Sequence, residues 1–293
     1  MTEHHPFRSK EKKETCIAMF EALEKSNWPL ESERLYIETS YGKTFVRASG
    51  SVNNPPFVLL HGIGGNSLYW GRNIKELSEE FRTYAIDTID DYGLSVNKIP
   101  MKNSSDHAKW LDELFTQLGL DDNINLMGHS YGGWLASQYA LNFQNRLNKL
   151  VLVAPACTIQ PIVFQFYIRQ ILSILPSRSF KENFISWVDP THKHDSETKQ
   201  NIDLLEISMK CYKPKYSIVR PTVLSDEELK SLRCQVLFLV GEKEKIYPPE
   251  KAMDRLETVA PHIKKEIIPA AGHMSITRSP EFNKKVIAFL KGQ

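Results

Sequence analysis

A serine flanked by glycines is the feature of this chain that points most directly to chemistry. Gly128, Ser130 and Gly132 form a Gly-x-Ser-x-Gly pattern, with an apolar run at residues 124–127 before it and a helical pattern at residues 131–142 after it. Between a strand and a helix, such glycines allow a tight turn that exposes the serine hydroxyl at the end of a sheet. We therefore predict Ser130 as a nucleophile, the alternative being a helix-capping serine.

A serine hydroxyl is a weak nucleophile until a base removes its proton. Of the nine histidines, His273 is placed best for this role, because it lies after the last predicted strand, residues 266–268, and before the last predicted helix, residues 280–290. Hence His273 is predicted as the general base of Ser130. The alternative for a single histidine is a surface or hydrogen-bonded structural residue.

The histidine in turn needs an acid that fixes its tautomer. We expect this acid between the serine and the histidine in the chain, after the carboxyl end of a strand. The apolar strand predicted at residues 236–240 is followed by Glu242 and Glu244. Glu244 is our first candidate and Glu242 the second.

A glycine-rich segment, residues 61–65, follows the buried strand predicted at residues 57–60. Glycines at this point let the backbone approach a ligand, so the expected oxyanion-hole donors are the backbone N–H groups of Ile63 and Tyr131. His61 is interpreted as a structural residue that holds this loop by hydrogen bonds. A phosphate-binding loop is disfavoured, because the Walker lysine is missing and the spacing does not fit a dinucleotide fingerprint.

The elements that would position these residues alternate along the chain. Short apolar runs, typical of strands buried on both faces, are separated for the most part by helical patterns. Such alternation predicts an α/β fold with a mostly parallel central sheet and helices on both faces. The strands are expected at residues 35–39, 44–48, 57–60, 84–86, 124–127, 150–153, 236–240 and 266–268.

About eighty residues interrupt this alternation. They hold helical apolar patterns and several prolines but no clear buried strand, and a structureless loop of that length would be improbable. We interpret residues 155–233 as a helical cap, whose apolar residues wall the substrate pocket. The candidates for substrate contact in the cap are Phe164, Tyr167, Ile171 and Trp187, the alternative being that such residues only pack the cap onto the sheet.

Three parts are therefore expected in the chain. Residues 1–30 form an N-terminal helical extension, because apolar side chains recur there at helical spacing. Residues 31–154 and 234–293 form the α/β core, and the helical cap leaves the sheet between them.

Composition narrows the classes of partner. The formal net charge is +2, from 37 basic and 35 acidic residues, so the chain lacks the excess of basic residues that is typical of a nucleic-acid-binding protein. The first 14 residues are polar and lack the apolar core of a signal peptide, and no stretch has the length of a membrane span. We therefore expect a cytoplasmic protein that binds neither nucleic acid nor membrane.

No metal site or disulfide framework is expected either. His192 and His194 are separated by one lysine, but partner ligands at zinc spacing are missing. The four cysteines form no Cys-x-x-Cys pair, and reduced thiols are the default in a chain of this size.

Taken in order, His61-Gly62, the pattern around Ser130, the turn after Gly241 and Gly272-His273 make the chain resemble the α/β-hydrolase superfamily. The resemblance covers nearly everything from residue 35 to residue 290. More narrowly, the chain is similar to the capped bacterial carboxylesterases of the Bacillus type. The resemblance implies the α/β-hydrolase fold and a serine hydrolase without cofactor. Its substrate would be a small to medium carboxylic ester with an apolar acyl group, cleaved through an acyl-serine intermediate.

The acid of this superfamily commonly stands three residues after the glycine that ends its strand, which is the place of Glu244 relative to Gly241. Members usually carry Asp there, so this chain departs from the pattern. A second departure lies in residues 87–95, which resemble the superfamily's D-x-x-G-x-G-x-S loop. Here Asp90 replaces the first glycine and one extra residue is present.

Other functions occur on the same fold. Carbon–carbon bond hydrolases, acyltransferases and lipases share the expected machinery, and a ligand receptor that retains all three residues is a further alternative. Dehalogenases and epoxide hydrolases of this fold use Asp as nucleophile, so Ser130 counts against them. The oligomeric state is not determined by these patterns.

Overall fold

The computed structural model describes residues 5–175, 177–191, 196–213 and 218–293. Within them, nine strands form one sheet, in which β1-β2-β4-β3-β6-β7-β8-β9 are neighbours in that order and β5 pairs with β2. The strands are β1 (Glu33–Thr39), β2 (Gly42–Ser49), β3 (Pro56–Leu60), β4 (Arg82–Ile86), β5 (Val96–Asn97), β6 (Ile124–His129), β7 (Leu147–Val153), β8 (Gln235–Gly241) and β9 (Lys264–Ile268).

The sheet is antiparallel at one edge and parallel elsewhere. β2 pairs antiparallel with β1, β4 and β5, whereas the pairs β4–β3, β3–β6, β6–β7, β7–β8 and β8–β9 are parallel. In this register Leu60 pairs with Gly128, and Val153 pairs with Leu239. The carboxyl ends of β3, β6, β7 and β8 therefore lie side by side, and we call this end of the strands the sheet edge. The residues that follow these strands come together there.

Helices cover both faces of the sheet. The helices are α1 (Lys10–Asn27), α2 (Ile74–Glu80), α3 (Ser104–Gln117), α4 (Tyr131–Phe143), α5 (Phe164–Ser173), α6 (Arg178–Val188), α7 (Ser196–Cys211), α8 (Asp226–Ser231), α9 (Pro249–Val259) and α10 (Phe282–Lys291). Side chains of β3 alternate between two hydrophobic clusters. Val58 and Leu60 pack with residues of α3, α4 and α9, whereas Phe57 and Leu59 pack with residues of α2 and α10.

Several helices begin with a side chain that accepts an N–H group of the first turn. Ser9 accepts from Lys12 at the start of α1, and Asn103 accepts from Asp106 at the start of α3. Ser130, which precedes α4, makes no such bond. Its hydroxyl is therefore not used as a helix cap and is available for other contacts.

The helices α5 to α8 lie between β7 and β8, and we call α5, α6 and α7 the cap helices. α5 packs on α6, α6 packs on α7, and α1 also packs on α7. Phe20 of α1 shares a small buried cluster with Cys211 and Tyr212. The predicted division at residues 30, 154 and 233 stays a prediction. None of the described helices combines the length and the apolar composition that crossing a membrane requires.

Candidate active site

The turn from β6 into α4 carries Ser130 in a backbone conformation that side chains rarely adopt. Its φ is +54°. The neighbouring glycines are required sterically, because a β-carbon on Gly128 would lie 2.1 Å from the carbonyl oxygen of Gly132. A β-carbon on Gly132 would lie 2.4 Å from the carbonyl oxygen of Leu60. The glycines thus let α4 approach β3 and β6 closely enough to push Ser130 out at the sheet edge.

Three side chains from different elements meet at this edge. The Oγ of Ser130 lies 2.9 Å from Nε2 of His273, and Nδ1 of His273 lies 2.8 Å from Oε2 of Glu244. Glu244 follows β8 and His273 follows β9. All three residues are buried. Because a carboxylate accepts only, the proton of the neutral imidazole belongs on Nδ1, and Nε2 is left to accept the proton of the serine.

The two glutamates after β8 have different surroundings. Oε1 of Glu244 accepts the backbone N–H groups of Lys245 and Ile246, at 2.8 and 2.9 Å, while Oε2 is left for His273. Glu242 is exposed, and its carboxylate accepts the N–H of Ala270 at 2.8 Å. That hydrogen bond is the main reason why the pKa of Glu242 is lowered. Of the two candidates, Glu244 is the one in contact with the histidine.

The loop after β3 is held by His61. Its Nε2 accepts the N–H of Thr88 at 3.0 Å, so Nδ1 carries the proton and donates to the carbonyl oxygen of Gly62 at 2.8 Å. In a trans peptide the C=O and the next N–H point in opposite directions, and this bond therefore turns the N–H of Ile63 away from His61. A β-carbon on Gly62 would lie 3.2 Å from the β-carbon of Ser130.

The second predicted donor, Tyr131, is the first residue of α4. N–H groups in the first turn of a helix have no intrahelical acceptor, and the helix dipole makes this end favourable for negative charge. The structure therefore places Tyr131 directly after Ser130 at the start of α4, and it brings the loop that carries Ile63 close to Ser130 through Gly62. Their role as oxyanion donors stays a prediction.

The loop between β4 and β5 supports the glycine-rich loop with carboxylates. Asp91 accepts the N–H of Gly64 at 2.7 Å, where Gly64 has a φ of +80°. Asp87 accepts the N–H of Ser67 at 2.7 Å. Asp90, at the departure from the superfamily pattern, lies 3.0 Å from Nε2 of the buried His107. In this altered loop Asp90 makes a polar contact with His107, while Asp87 and Asp91 still anchor the glycine-rich loop.

His129, the residue before the serine, is fully enclosed and neutral. Its Nε2 donates to the carbonyl oxygen of His273 at 2.8 Å, and its ring stacks on Tyr69 with centroids 5.0 Å apart. Burial, with a smaller contribution from His273, lowers the pKa of His129 from 6.5 to about 3. His129 therefore acts as a hydrogen-bond donor to the backbone of the histidine turn and is unsuited to proton transfer.

A cavity of about 550 Å³ opens beside Ser130 and His273. Its walls come from three parts of the chain: the glycine-rich loop, the cap helices and α1. The cap helices contribute mostly apolar side chains, and α1 contributes the end of its last turns. The lining includes Ile63, Leu68, Phe166, Phe184, Ile185, Val188, Leu204, Leu205 and Met274, with Leu23, Ser26 and Asn27 from α1.

The predicted substrate-contact residues of the cap do not line this cavity. Phe164, Tyr167 and Ile171 are 76%, 42% and 66% exposed, on the outer face of α5. Trp187 is half-buried beneath the guanidinium of Arg169, which lies 5.2 Å from its ring centroid. This is a correction: most apolar side chains of α5 share one face, which favours burial of that face, but in the structure this face is turned outward. Phe166 and Gln170, one turn apart, are the α5 residues at the cavity.

The contribution of α1 to the cavity could not be predicted from the sequence. Leu23 and Asn27 are one turn apart and face the cap helices, and Asn27 donates to the side chain of Gln200 at 3.2 Å. Only the helical spacing of apolar residues in α1 was available as a signal. It predicts a buried face but not what that face packs against.

Metal-binding clusters of three or more His, Cys, Asp or Glu side chains are absent from the described residues. His192 and His194, for which the sequence predicts no zinc site, lie outside the described residues. The described arrangement consists of a serine, an imidazole, a carboxylate and backbone amides. Such groups can transfer a proton and an acyl group by themselves.

The chain is similar to known esterases in sequence and in overall structure. Residues 55–178 match the model of the family described as alpha/beta hydrolase fold. The chain is 32% identical to carboxylesterase YbfK of Bacillus subtilis, over 95% of each chain, and the solved structure of that esterase superposes with a TM-score of 0.84. A solved naproxen esterase of the same organism is 29% identical, with a TM-score of 0.87 over 96% of this chain and 99% of its own.

Proposed function

The chain belongs to the α/β-hydrolase family, and we propose that it hydrolyses carboxylic esters through an acyl intermediate on Ser130. The observation that carries this proposal is the continuous pair of hydrogen bonds from Ser130 to His273 and from His273 to Glu244, at the end of the cavity. The full-length relatives named carboxylesterases support the same reaction.

In the first half of the reaction Oγ of Ser130 attacks the carbonyl carbon of the ester while Nε2 of His273 takes the hydroxyl proton. The carbonyl oxygen becomes an oxyanion, for which the N–H groups of Ile63 and Tyr131 are the proposed donors. When the tetrahedral intermediate collapses, the bond to the alcohol oxygen breaks and His273 gives its proton to the leaving alcohol. The acyl group is then bonded to Ser130.

In the second half His273 takes a proton from water, whose oxygen attacks the acyl carbon. Collapse releases the carboxylic acid and returns the proton to Ser130 through His273. In both halves the imidazole carries a positive charge transiently, and the carboxylate of Glu244 stabilises this form. The hydrogen bonds from Lys245 and Ile246 keep Glu244 in place, so that it contacts Nδ1 without further reorganisation.

The cavity supports a small to medium ester with an apolar acyl group as substrate. A volume of about 550 Å³ is in the range of pockets for small molecules, and most of the side chains from the cap helices are apolar. Polar groups of α1 and α7, among them Asn27 and Gln200, lie on the same cavity. They offer hydrogen bonds to the part of the substrate farther from the apolar wall. A cytoplasmic location stays a prediction from the sequence.

The proposal is tested with p-nitrophenyl esters of increasing acyl length and with a fluorophosphonate that labels activated serines. We expect turnover of these esters and a single adduct on Ser130, located by mass spectrometry. Ser130→Ala should abolish both. The matched control is Ser137→Ala, because Ser137 lies in α4 with its hydroxyl bonded to the carbonyl of Trp134. Labelling that persists in Ser130→Ala would contradict the assignment of the nucleophile.

A carbon–carbon bond hydrolase or an acyltransferase would use the same three residues. The same assay distinguishes an acyltransferase from an ester hydrolase, because added alcohol should divert the acyl group of a transferase from water. A ligand receptor would bind esters without turnover. None of the contacts described above favours one of these alternatives over ester hydrolysis.

A further inference from the structure

A buried carboxylate outside the proposed reaction lies next to the turn that carries His273. Asp189 is the residue at which α6 ends, and it is 5% exposed. It therefore belongs to the cap helices, although its contacts reach the sheet side of the cavity. A buried carboxylate is costly unless it is well hydrogen-bonded, so its partners indicate why it is there.

One oxygen of Asp189 ties the cap to the histidine turn, and the other is bonded to the chain that follows α6. Oδ2 accepts the backbone N–H of Met274 at 2.9 Å and that of Ser275, the two residues directly after His273. Oδ1 accepts the N–H of Thr191 at 3.1 Å and the hydroxyl of Thr191. The two N–H groups of the turn therefore depend on a side chain from a different part of the chain.

The histidine turn is shaped to admit this carboxylate. A β-carbon on Gly272 would lie 2.6 Å from Oδ1 of Asp189, so a larger residue before His273 would push the carboxylate away. The N–H of Gly272 donates to Oγ of Ser275 at 2.8 Å, and that hydroxyl lies 2.8 Å from the hydroxyl of Thr191. Burial alone would raise the pKa of Asp189, but the hydrogen bonds from Thr191 and Ser275 hold it below its ordinary value.

We propose that Asp189 is a positioning residue, through which the cap helices hold His273 in line with Ser130. This inference rests on the proposed function, because it assigns Asp189 to the alignment of the same serine and histidine. Without Asp189 the buried N–H of Ser275 and the partly buried N–H of Met274 lose their acceptor, and the turn moves to find another. A shift of about 1 Å between reacting groups can lower a rate by about 100-fold.

The test compares three variants. Asp189→Ala removes all the contacts, and Asp189→Asn keeps one oxygen for Met274 and Ser275 but turns an amide NH₂ toward Thr191. The control Asp203→Asn changes an exposed carboxylate on α7, which pairs with Arg178 at 2.6 Å and does not line the cavity. For each, we would measure the second-order rate of fluorophosphonate labelling at Ser130, and kcat and KM for p-nitrophenyl acetate.

For Asp189→Ala we expect labelling and kcat to fall about 10- to 100-fold, with KM changed less than about threefold. Asp189→Asn should lose less, and Asp203→Asn should match the unmodified chain. A residue that merely supports the cap would give another result, in which KM rises or the melting temperature falls while labelling stays within about twofold. That result would overturn the proposal. If circular dichroism shows that Asp189→Ala does not fold, Asp189→Asn decides the question by the same criteria.

A double-mutant cycle gives an independent check. Gly272→Ala should slow labelling in the unmodified chain, because its methyl group displaces the carboxylate of Asp189. In the Asp189→Ala background the same change should cost much less, since the clash is gone. Equal losses in both backgrounds would contradict the proposed contact. If the unmodified chain is labelled but turns over no ester, the proposed function fails, while the labelling rates still test the role of Asp189.

Discussion

At the scale of single residues, the environment of each carboxylate decides its role. Glu242 and Glu244 are two residues apart on one turn, yet only Glu244 is enclosed and directed at His273. Its other oxygen is held by two backbone N–H groups, which leaves one oxygen for the imidazole. The carboxylate of Glu242 lies at the surface and accepts the N–H of Ala270.

We expect Glu244→Gln to lower kcat by about 10²–10⁴-fold, because an amide at this place favours the wrong tautomer of the imidazole. Glu242→Gln, the matched control, should cost less than about tenfold, or 1.4 kcal/mol. The measurement is kcat for a p-nitrophenyl ester, with folding checked by circular dichroism. If Glu242→Gln were the inactive variant, the acid would have been assigned to the wrong glutamate.

The buried His129 makes stability depend on pH. Its pKa is about 3 in the folded chain and about 6.5 in the unfolded chain, so between these values the unfolded state binds more protons. Stability from this residue is complete above pH 6.5 and is lost as the pH falls from 6.5 towards 3. At pH 5 we expect the loss to be about 2 kcal/mol relative to pH 8.

Urea unfolding of the unmodified chain and of His129→Gln, at pH 5 and pH 8, measures this contribution. Glutamine keeps an N–H donor for the carbonyl of His273 but does not titrate. The difference in unfolding free energy between the two pH values should therefore shrink in the variant. An unchanged difference would mean that other groups cause the pH dependence.

Sequence patterns could identify Ser130 and His273 because each lies at the junction of a strand and a helix. For the acid the patterns leave Glu242 and Glu244 as candidates, and the superfamily spacing favours Glu244, which contacts His273. Asp189 could not be found in this way. Its partners, Met274 and Ser275, are about 85 residues further along the chain, and only the packing of α6 brings them together.

At the scale of elements, α5 shows the limit of hydrophobic periodicity. Phe164, Tyr167 and Ile171 recur at helical spacing and predict a buried face, but this face is turned to solvent in the structure. The other face, with Phe166, closes the cavity. Periodicity therefore identifies the helix and its apolar face, but it does not show whether that face is turned to the core or to solvent.

The two faces of α5 should therefore respond differently to truncation. Phe166→Ala removes a ring that lines the cavity and packs on Phe184, with centroids 5.4 Å apart. The space gained should raise kcat/KM for octanoate over acetate esters by at least about threefold, since each buried CH₂ contributes about 0.8 kcal/mol. Phe164→Ala, on the outer face, should leave that ratio within about twofold. Equal shifts in both variants would show that the outer face also influences the substrate.

The larger elements were easier to predict from sequence than the small ones. The eight predicted strands lie within β1 to β4 and β6 to β9, because short apolar runs are typical of strands in a sheet covered on both faces. β5 has only two residues, Val96–Asn97, and its pairing with β2 follows from the course of the preceding loop. A pattern of two residues in the sequence does not predict a strand or its pairing.

At the scale of the whole molecule, α1 joins the sheet to the cap helices. Glu24 of α1 pairs with Arg47 of β2, whose side chain is 2% exposed and lies between the rings of Trp28 and Phe45. α1 also packs on α7. The helix therefore contacts both the sheet and the cap helices, and it contributes directly to the cavity wall.

Removing the acid of this buried pair should destabilise the chain more than removing a surface acid from the same helix. Glu24→Ala leaves the guanidinium of Arg47 buried without its carboxylate, and we expect a loss of about 3 kcal/mol in unfolding free energy. Glu21, 56% exposed and 3.9 Å from Arg34, is the control, with an expected loss below about 0.5 kcal/mol on change to Ala. Urea unfolding at pH 7 measures both, and equal losses would contradict the importance of the Arg47 pair.

The chain leaves the sheet at the end of β7 and returns at the start of β8, and these two strands are hydrogen-bonded neighbours. The N–H of Ala154 donates to the carbonyl of Leu239 at 2.7 Å, directly after β7 ends. Such an excursion begins and ends on adjacent strands, so its length and content place little constraint on the register of the sheet. We therefore expect this chain to accept a different set of intervening helices without a change in the order of its strands. Such an exchange must keep an acceptor in the place of Asp189, because the N–H groups of Met274 and Ser275 would otherwise lose theirs.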